Sequence, residues 1–476
     1  MPAVERRRRA AGCRLLSASV CTEQRLHTHR QPPRHQNLRA DTDGLLVEAH
    51  KSAMPRGDGA KQVTPPSWLD KAFVADALKA SDPATDESSV QIVSVEEVCG
   101  GYLSETFRVV ARNTVTGATQ RNKTTSLIVK IAPNSDGLLK DVIDSGVFTK
   151  EKIAYSTFLP AVEAALRAAD LGGWQPVWPK FYYQGSTPSD FLVIEDLDAS
   201  GFRKVDEAVS LDLEQCTVAV RGLARLHAAS VALLDDELYA DGLFHQSLIF
   251  NEKMLESYES SMADGFGKMV KIFEEYAWFH KYKGKLSDFG LPLLRTTVDV
   301  VTKSKVDFRV MLHGDFHRNN MMFRRDGESL QVRVFDFQGM YVGCPAVELQ
   351  YFLHTSASLE VLRDHVDQLL AEYHVELQRA LRALGRLQQA DAYPLDSLRR
   401  DFDSFGVVGV YVTFHILPLV LDSHMAGQMA DMTLENFQEQ ADEFCQKHCR
   451  NERFLRYVEY LIPHFDSKGL FEVKVV

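Results

Sequence analysis

Three oxygen-bearing side chains in the second half of the sequence could together hold a divalent cation: Asp315, Asn320 and Asp336. Between the last two, Asp326-Gly327 is flanked by apolar-rich runs and predicts a β-hairpin. Folding about that turn pairs residues whose numbers sum to about 655, which places Asn320 opposite residue 335. Cross-strand neighbours lie about 5 Å apart at Cβ, so Asn320 and Asp336 are predicted to converge.

Asp315 lies in the loop His313-Gly314-Asp315, just before the hairpin and within reach of the same place. Carboxylate and amide oxygens are ligands that suit Mg²⁺. Phosphoryl transfer needs this set, because a metal spreads the charge of the phosphate and a carboxylate takes the proton of the attacking hydroxyl. Either motif alone is compatible with ordinary turn chemistry, but the combination at this spacing predicts phosphoryl transfer.

The elements that must position these residues fall into two parts. Strands are predicted at 90–98, 106–111, 125–131, 178–183 and 191–197, with a long helical pattern over 138–169. Beyond residue 197 the apolar residues recur at three- and four-residue steps, which predicts helices over 211–234, 254–282 and 359–384. We therefore expect an α+β, two-lobed fold with a small β-rich lobe over 65–197 and a larger helical lobe over 198–476, preceded by a tail, 1–64.

The run from Leu312 to Asn320, followed by Asp336-Phe337-Gln338, resembles the protein kinase-like superfamily of aminoglycoside phosphotransferases and choline kinases. It is most similar to the ecdysteroid kinase-like (CHK kinase-like) family of arthropods, and the resemblance extends over most of the chain from Pro65 onward. It implies ATP and Mg²⁺ as cofactors, Asp315 as catalytic base, Asn320 and Asp336 as metal ligands, and His313 as a buried support of the loop.

The same resemblance assigns residues to the nucleotide. Lys130 ends the third strand after a glycine-containing turn, and is expected to reach the α- and β-phosphates. Its partner should be a carboxylate on the next helix, and the pattern around residues 148–155 nominates Glu151. The turn Gly100-Gly101 would offer backbone N–H groups to phosphate, although it lacks spaced glycines and is equally compatible with a plain hairpin.

The strand from Phe191 onward resembles the family's hinge, where backbone groups around Glu195 and Leu197 would meet adenine. One departure is Glu348-Leu349, where the family usually has Asp-Leu. If this acid braces the catalytic loop, the longer side chain is expected to loosen it. His227 lies in a helical pattern and is expected to be a packed histidine rather than a catalyst.

These assignments predict a small-molecule kinase acting on a hydroxyl, of an ecdysteroid or another hydroxylated lipophile or xenobiotic. A choline- or aminoglycoside-type kinase is the alternative, because the catalytic loop is shared. A catalytically dead nucleotide-binding protein is another, motivated by the irregular glycine turn and Glu348. A protein kinase fits less well, since the loop reads His-Gly-Asp rather than His-Arg-Asp.

Composition narrows the remaining possibilities. A net charge of −11 over 476 residues argues against a nucleic-acid partner. The first forty residues carry nine arginines and two acids, which predicts a disordered tail or upstream extension, with a transit peptide as the alternative. No uninterrupted apolar run reaches the roughly eighteen residues of a membrane span. Seven scattered cysteines and no secretory signal predict a cytoplasmic protein, and its oligomeric state is not indicated.

Overall fold

The computed structural model describes residues 64–98, 104–115, 121–132, 145–172, 174–234, 242–287, 289–422 and 446–472. The chain divides into two units, Met1–Lys61 and Gln62–Val476, and every described residue belongs to the second. The predicted tail and the predicted turn Gly100-Gly101 lie outside the described residues.

An antiparallel sheet of five strands organises the smaller lobe. Its strands are β1 (Val90–Glu97), β2 (Glu105–Val115), β3 (Arg121–Ile131), β4 (Phe181–Gly185) and β5 (Phe191–Glu195). The strand order is β1-β2-β3-β5-β4, which makes β3 the central strand. Lys130 therefore lies between Thr106 on β2 and Leu192 on β5.

The two faces of this sheet have different partners. Leu127 and Val129 belong to an apolar cluster that includes helix α1 (Lys71–Leu78). Because side chains alternate along a strand, Lys130 leaves the opposite face together with Ile128. Ile128 packs against the main core, which extends through the helical lobe. The alternation of β3 thus directs Lys130 toward the rest of the molecule.

The long helix predicted from residue 138 is described only from residue 145 onward. It consists of α2 (Val147–Ile153), a π-helical turn (Ala154–Phe158) and α3 (Leu159–Ala168). π-Turns are rare and frequently mark functional sites. Here the turn separates the part that carries Glu151 from the part that packs into the core.

The larger lobe is built mainly from helices. They are α4 (Leu213–Leu233), α5 (Glu252–Phe273), α6 (Lys283–Leu286), α7 (Gly290–Lys303), α8 (Pro345–Ser356), α9 (Leu359–Asp364), α10 (Val366–Ala383), α11 (Leu387–Ala392), α12 (Leu395–Ser404), α13 (Gly406–His415), α14 (Leu417–Leu421) and α15 (Glu452–Ser467). Helix α13 is buried along nearly its whole length, which agrees with its apolar sequence.

Two short antiparallel pairs are set into this helical lobe. Strand β6 (Val310–Leu312) pairs with β9 (Tyr341–Gly343), and β7 (Met321–Asp326) pairs with β8 (Ser329–Val334). Met321 lies opposite Val334, so the register predicted from the Asp-Gly turn is confirmed. With the five-stranded sheet, these elements form the α+β, two-lobed kinase-like fold that the sequence predicts.

Some predicted helices are shorter than expected. The pattern from 254 to 282 ends as α-helix at Phe273 and continues as turns. The pattern from 359 to 384 is interrupted at His365, whose φ of −130° leaves the helical region. Apolar periodicity persists through both breaks because the segments pack on the same core, so periodicity alone could not find them. No helix among the described residues is long and apolar enough to cross a membrane.

Candidate active site

Lys130 is held by carboxylates from two other parts of the chain. Its Nζ donates to both oxygens of Glu151 at 2.6 Å and to Oδ1 of Asp336 at 2.8 Å. The contact between Lys130 and Glu151 was predicted from the sequence; the contact with Asp336 was not. Burial alone would lower the pKa of Lys130, but the two carboxylates outweigh it and raise the pKa. The ammonium is therefore fixed in its charged form.

The carboxylate of Asp315 is oriented by three side chains. Tyr351 donates its hydroxyl to Oδ1 at 2.7 Å, and Nε2 of His317 lies 3.2 Å from the same oxygen. The amide of Asn320 donates to Oδ2 at 3.0 Å. Burial would raise the pKa of Asp315, but the charge and hydrogen bond of His317 and the Tyr351 hydrogen bond hold it below its usual value. Asp315 is thus kept as a carboxylate able to accept a proton.

Asn320 pairs with the residue before Asp336 at the open end of the β7–β8 hairpin. The N–H of Phe335 donates to the carbonyl of Asn320 at 3.1 Å, which extends the ladder to the predicted pair. Asp336 follows with φ of +71°, a left-handed conformation that is uncommon for a residue with a side chain. Such outliers concentrate at functional sites, because the surrounding structure must offset their cost.

His313 ties the catalytic loop to the end of this hairpin. It is completely buried, its Nδ1 accepts the N–H of Asp315 at 3.3 Å, and its Nε2 lies 3.1 Å from the carbonyl of Phe335. One ring nitrogen therefore accepts while the other donates, which requires a neutral ring. Burial lowers the pKa of His313, consistent with that tautomer.

Two glycines let the loops on either side of the site touch. Gly314 has φ of +81°, and a Cβ placed on it would lie 1.9 Å from the carbonyl oxygen of Gly339. A Cβ on Gly339 would in turn lie 3.1 Å from the backbone of Gly314. The loop that carries Asp315 can approach the loop that carries Asp336 only because both residues lack a side chain.

Glu348 on α8 supports the loop His313-Gly314-Asp315 through hydrogen bonds to its backbone. It is buried, and its carboxylate accepts the N–H groups of His313 at 3.1 Å and Gly314 at 2.7 Å. Nε2 of His227 lies 2.9 Å from it, and Nδ1 of His227 lies 2.7 Å from the hydroxyl of Tyr373. The expectation that glutamate would loosen the loop is therefore wrong, since the longer side chain reaches both backbone donors. His227 is packed, as expected, and also supports this brace.

The hinge segment is fastened to the sheet by a residue that sequence reasoning passed over. Asp196 is buried and accepts from Arg108 (Nε, 2.7 Å) and from Ser126 (2.6 Å). Its neighbour Glu195 accepts the N–H of Lys180 at 3.1 Å and a hydrogen bond from the Ser200 hydroxyl. These contacts hold the partly exposed Glu195 side chain against Lys180 and Ser200.

Leu197, the other residue expected to meet adenine, lies in a small apolar cluster with Phe202 and Met322, against which Phe335 packs. Its carbonyl accepts the N–H of Phe202 at 2.9 Å. Asp336 follows Phe335 directly, so the cluster places an apolar surface between the hinge segment and the site around Asp336.

The oxygen donors at this site suit Mg²⁺. Magnesium in phosphotransferases usually takes one or two carboxylates and is completed by water and substrate oxygens. Asp336 offers one carboxylate and Asn320 an amide oxygen, and both are hard oxygen ligands. Among the residues that the structure describes, no group of three or more His, Cys, Asp or Glu residues forms a metal cage.

Tyr351 and Arg108 were missed because nothing local marks them. Tyr351 is one of many aromatic residues on helices, and only the fold brings its hydroxyl to Asp315, 36 positions earlier. Arg108 looks like an exposed strand residue, yet it pairs with an acid 88 positions away. For Asp196 the sequence offers one signal, the acidic pair Glu195-Asp196 that directly follows the apolar strand residues 191–194.

Comparison with known proteins agrees with this geometry. The five-stranded sheet and the helical lobe place the chain in the class of kinase-like folds. Residues 99–386 match the model of the ecdysteroid kinase-like family, and the chain belongs to that family. A comparison with curated proteins gives no match.

Solved structures with detectable similarity include two small-molecule kinases. A microcompartment-associated aminopropanol kinase is 12% identical, with a TM-score of 0.29 over 78% of this chain and 99% of its own. A glucosamine kinase is 14% identical, with a TM-score of 0.29 over 79% of this chain and 100% of its own.

Proposed function

We propose that this protein transfers the γ-phosphoryl group of ATP to a hydroxyl of a small molecule. The observation that carries the proposal is the meeting of Lys130, Glu151 and Asp336 from three parts of the chain. Asp315 is tied to the same hairpin, because Asn320 donates to it and pairs with the residue before Asp336. Phosphoryl transfer depends mainly on positioning and on charge stabilisation, and this cluster supplies both.

In this proposal each residue has one task. Lys130, held by Glu151, presents its positive charge to the phosphates. Asp315 orients the acceptor hydroxyl and takes its proton while the hydroxyl oxygen bonds to the γ-phosphorus and the bond to the β–γ bridging oxygen breaks. Asn320 and Asp336 would hold the Mg²⁺. That ion, when bound, spreads the negative charge of the transferred group.

The nucleotide base would lie against the hinge segment. Backbone groups near Glu195 and Leu197 are the expected partners of adenine, and the apolar cluster around Leu197 offers a surface for a flat ring. The arginine–aspartate pair that fastens Asp196 to the sheet keeps this segment in place before nucleotide arrives. The turn Gly100-Gly101, which lies outside the described residues, would offer backbone N–H groups to the phosphates.

For the acceptor we propose an ecdysteroid or another hydroxylated lipophile, and membership of the ecdysteroid kinase-like family supports this choice. The test is ATP consumption by the purified chain with Mg²⁺ against ecdysteroids, plant glycosides, choline and aminoglycosides, with mass spectrometry of the products. We expect one acceptor class to gain the mass of one phosphate. A product from choline or an aminoglycoside instead would reassign the acceptor and keep the reaction.

Two variants test the mechanism on whichever acceptor reacts. Asp315→Asn is expected to reduce turnover by about 10²–10⁴-fold, because the general base is lost. Asp336→Ala should abolish the product. Asp367→Asn is the matched control, since that carboxylate lies on the surface and pairs with Arg399. Full activity of Asp315→Asn would refute the assigned base, and ATP binding without turnover on every acceptor would favour a catalytically dead protein.

A further inference from the structure

A second ammonium group, that of Lys204, lies next to the Asp336 loop. Its Nζ is 5.5 Å from the centroid of the ring of Phe335, the residue that precedes Asp336. The backbone beside it is fixed, because Arg203 and Phe323 on β7 exchange two N–H···O bonds of 2.8 Å. The position of Lys204 relative to the hairpin is therefore set by the fold rather than by its own side chain.

The ammonium of Lys204 has no counter-ion among the described residues. It lies on an aromatic face and forms neither an ion pair nor a hydrogen bond there. Lys130, by contrast, is bound by two carboxylates. Lys204 is exposed to solvent, yet partial loss of hydration lowers its pKa. Nearby carboxylates, Asp336 first among them, raise the pKa and so partly offset this effect. A lysine ammonium without a counter-ion is well suited to bind an anion such as a phosphate.

The ring under Lys204 belongs to the nucleotide side of the site. Phe335 packs against the cluster of Leu197, Phe202 and Met322, which continues from the hinge segment. Lys204 thus lies beside the aromatic residue that joins this apolar cluster to Asp336.

Around Lys130 the carboxylates outnumber the ammonium groups, so a second cation would bring the charges closer to balance. Glu151 and Asp336 bring two carboxyl groups to Lys130, so its surroundings are acidic before any phosphate enters. We propose that the Lys204 ammonium binds the phosphates of the nucleotide from the larger lobe, opposite Lys130 on the smaller lobe. This inference rests on the proposed function and adds to it a residue that sets nucleotide affinity.

The experiment is calorimetric titration of the full chain, with Mg²⁺, using a non-hydrolysable ATP analogue and, separately, adenosine. Three variants are compared with the wild type: Lys204→Met, Lys204→Arg and Lys71→Met. Lys71 is the matched control, because it is an exposed lysine on α1, which packs on the sheet face opposite to Lys130. Melting temperatures of all four proteins check that each variant is folded.

We expect Lys204→Met to bind the ATP analogue about tenfold more weakly and adenosine as the wild type does, because only the phosphates lose a charged partner. Lys204→Arg should stay within about threefold of the wild type, since it keeps the charge. Equal binding of the ATP analogue by Lys204→Met and wild type would overturn the inference, and so would an equal loss for adenosine. A wild type that binds neither ligand would overturn the proposed function itself.

Discussion

Replacing Glu348 by glutamine removes one acceptor from beneath the catalytic loop without changing the size of the side chain. The carboxylate accepts the N–H groups of His313 and Gly314 and contacts His227, and all of these groups are buried except the N–H of Gly314, which is part-buried. An amide has one acceptor oxygen, so the new NH₂ group must face a donor. His227 can change tautomer to accommodate it, but a backbone N–H has no such choice.

The expected cost follows from these bonds. One buried N–H left without an acceptor costs about 1–3 kcal/mol, and the loss of the charge weakens the hydrogen bonds that remain. We therefore expect Glu348→Gln to lower the free energy of unfolding by about 2–4 kcal/mol, a large share of the 5–15 kcal/mol typical of folded domains. Turnover should fall as well, because His313 and Gly314 lead directly into Asp315.

Urea unfolding measures the loss of stability, and amide hydrogen exchange of the peptide around residues 310–320 locates it. Glu372→Gln is the control, since that glutamate lies on α10 and pairs with Arg221 at the surface, where ion pairs contribute about 0–1 kcal/mol. If Glu348→Gln unfolds like the control and the loop exchanges no faster, the buried acid is not the brace that its hydrogen bonds indicate.

Three other substitutions test the surroundings of the site. Gly314→Ala should abolish turnover and destabilise the protein by at least about 2 kcal/mol, because its Cβ would overlap a backbone oxygen of the neighbouring loop. Gly385→Ala is the control, because Gly385 also has a positive φ, of +74°, but has open space around it. It reports the cost of backbone strain without a clash and should be the milder change. Tyr351→Phe should lower kcat about tenfold, with nucleotide affinity unchanged in calorimetry, because Asp315 loses a donor that orients it. Burial lowers the pKa of Lys150 from 10.5 to about 8, so between those pH values the unfolded chain holds more of this proton and its titration stabilises the fold as pH rises. Lys150→Met lacks that rise, so its stability relative to the wild type in urea should be highest near pH 7 and decline from pH 8 to 10.5; a constant difference would contradict the assignment.

The parts of the site that the sequence predicts are those fixed by local geometry. The register of β7 and β8 follows from an Asp-Gly turn between two apolar runs, so the pairing of Asn320 with Phe335, the residue before Asp336, was predictable. Lys130 was predictable because it ends an apolar strand whose alternation decides its face. The nucleotide and metal roles of these residues stay predictions until the experiments above are done.

The parts that the sequence does not predict depend on contacts between distant helices and loops. Glu348 appeared as a departure from a pattern, yet its carboxylate reaches the catalytic loop 34 positions earlier. His227 and Tyr373 join it from two further helices, α4 and α10. Only the packing of those helices defines this chain of contacts, and no spacing within one element carries that information.

The bond between Lys130 and Asp336 also acts as a fastening between the two halves of the molecule. Lys130 belongs to the sheet of the smaller lobe, and Asp336 to a loop of the larger one. Any movement that separates the lobes here must break this ion pair. Separating the lobes and binding a cation at Asp336 therefore both involve the same carboxylate. A movement of the lobes at this point changes the charge that a nucleotide meets.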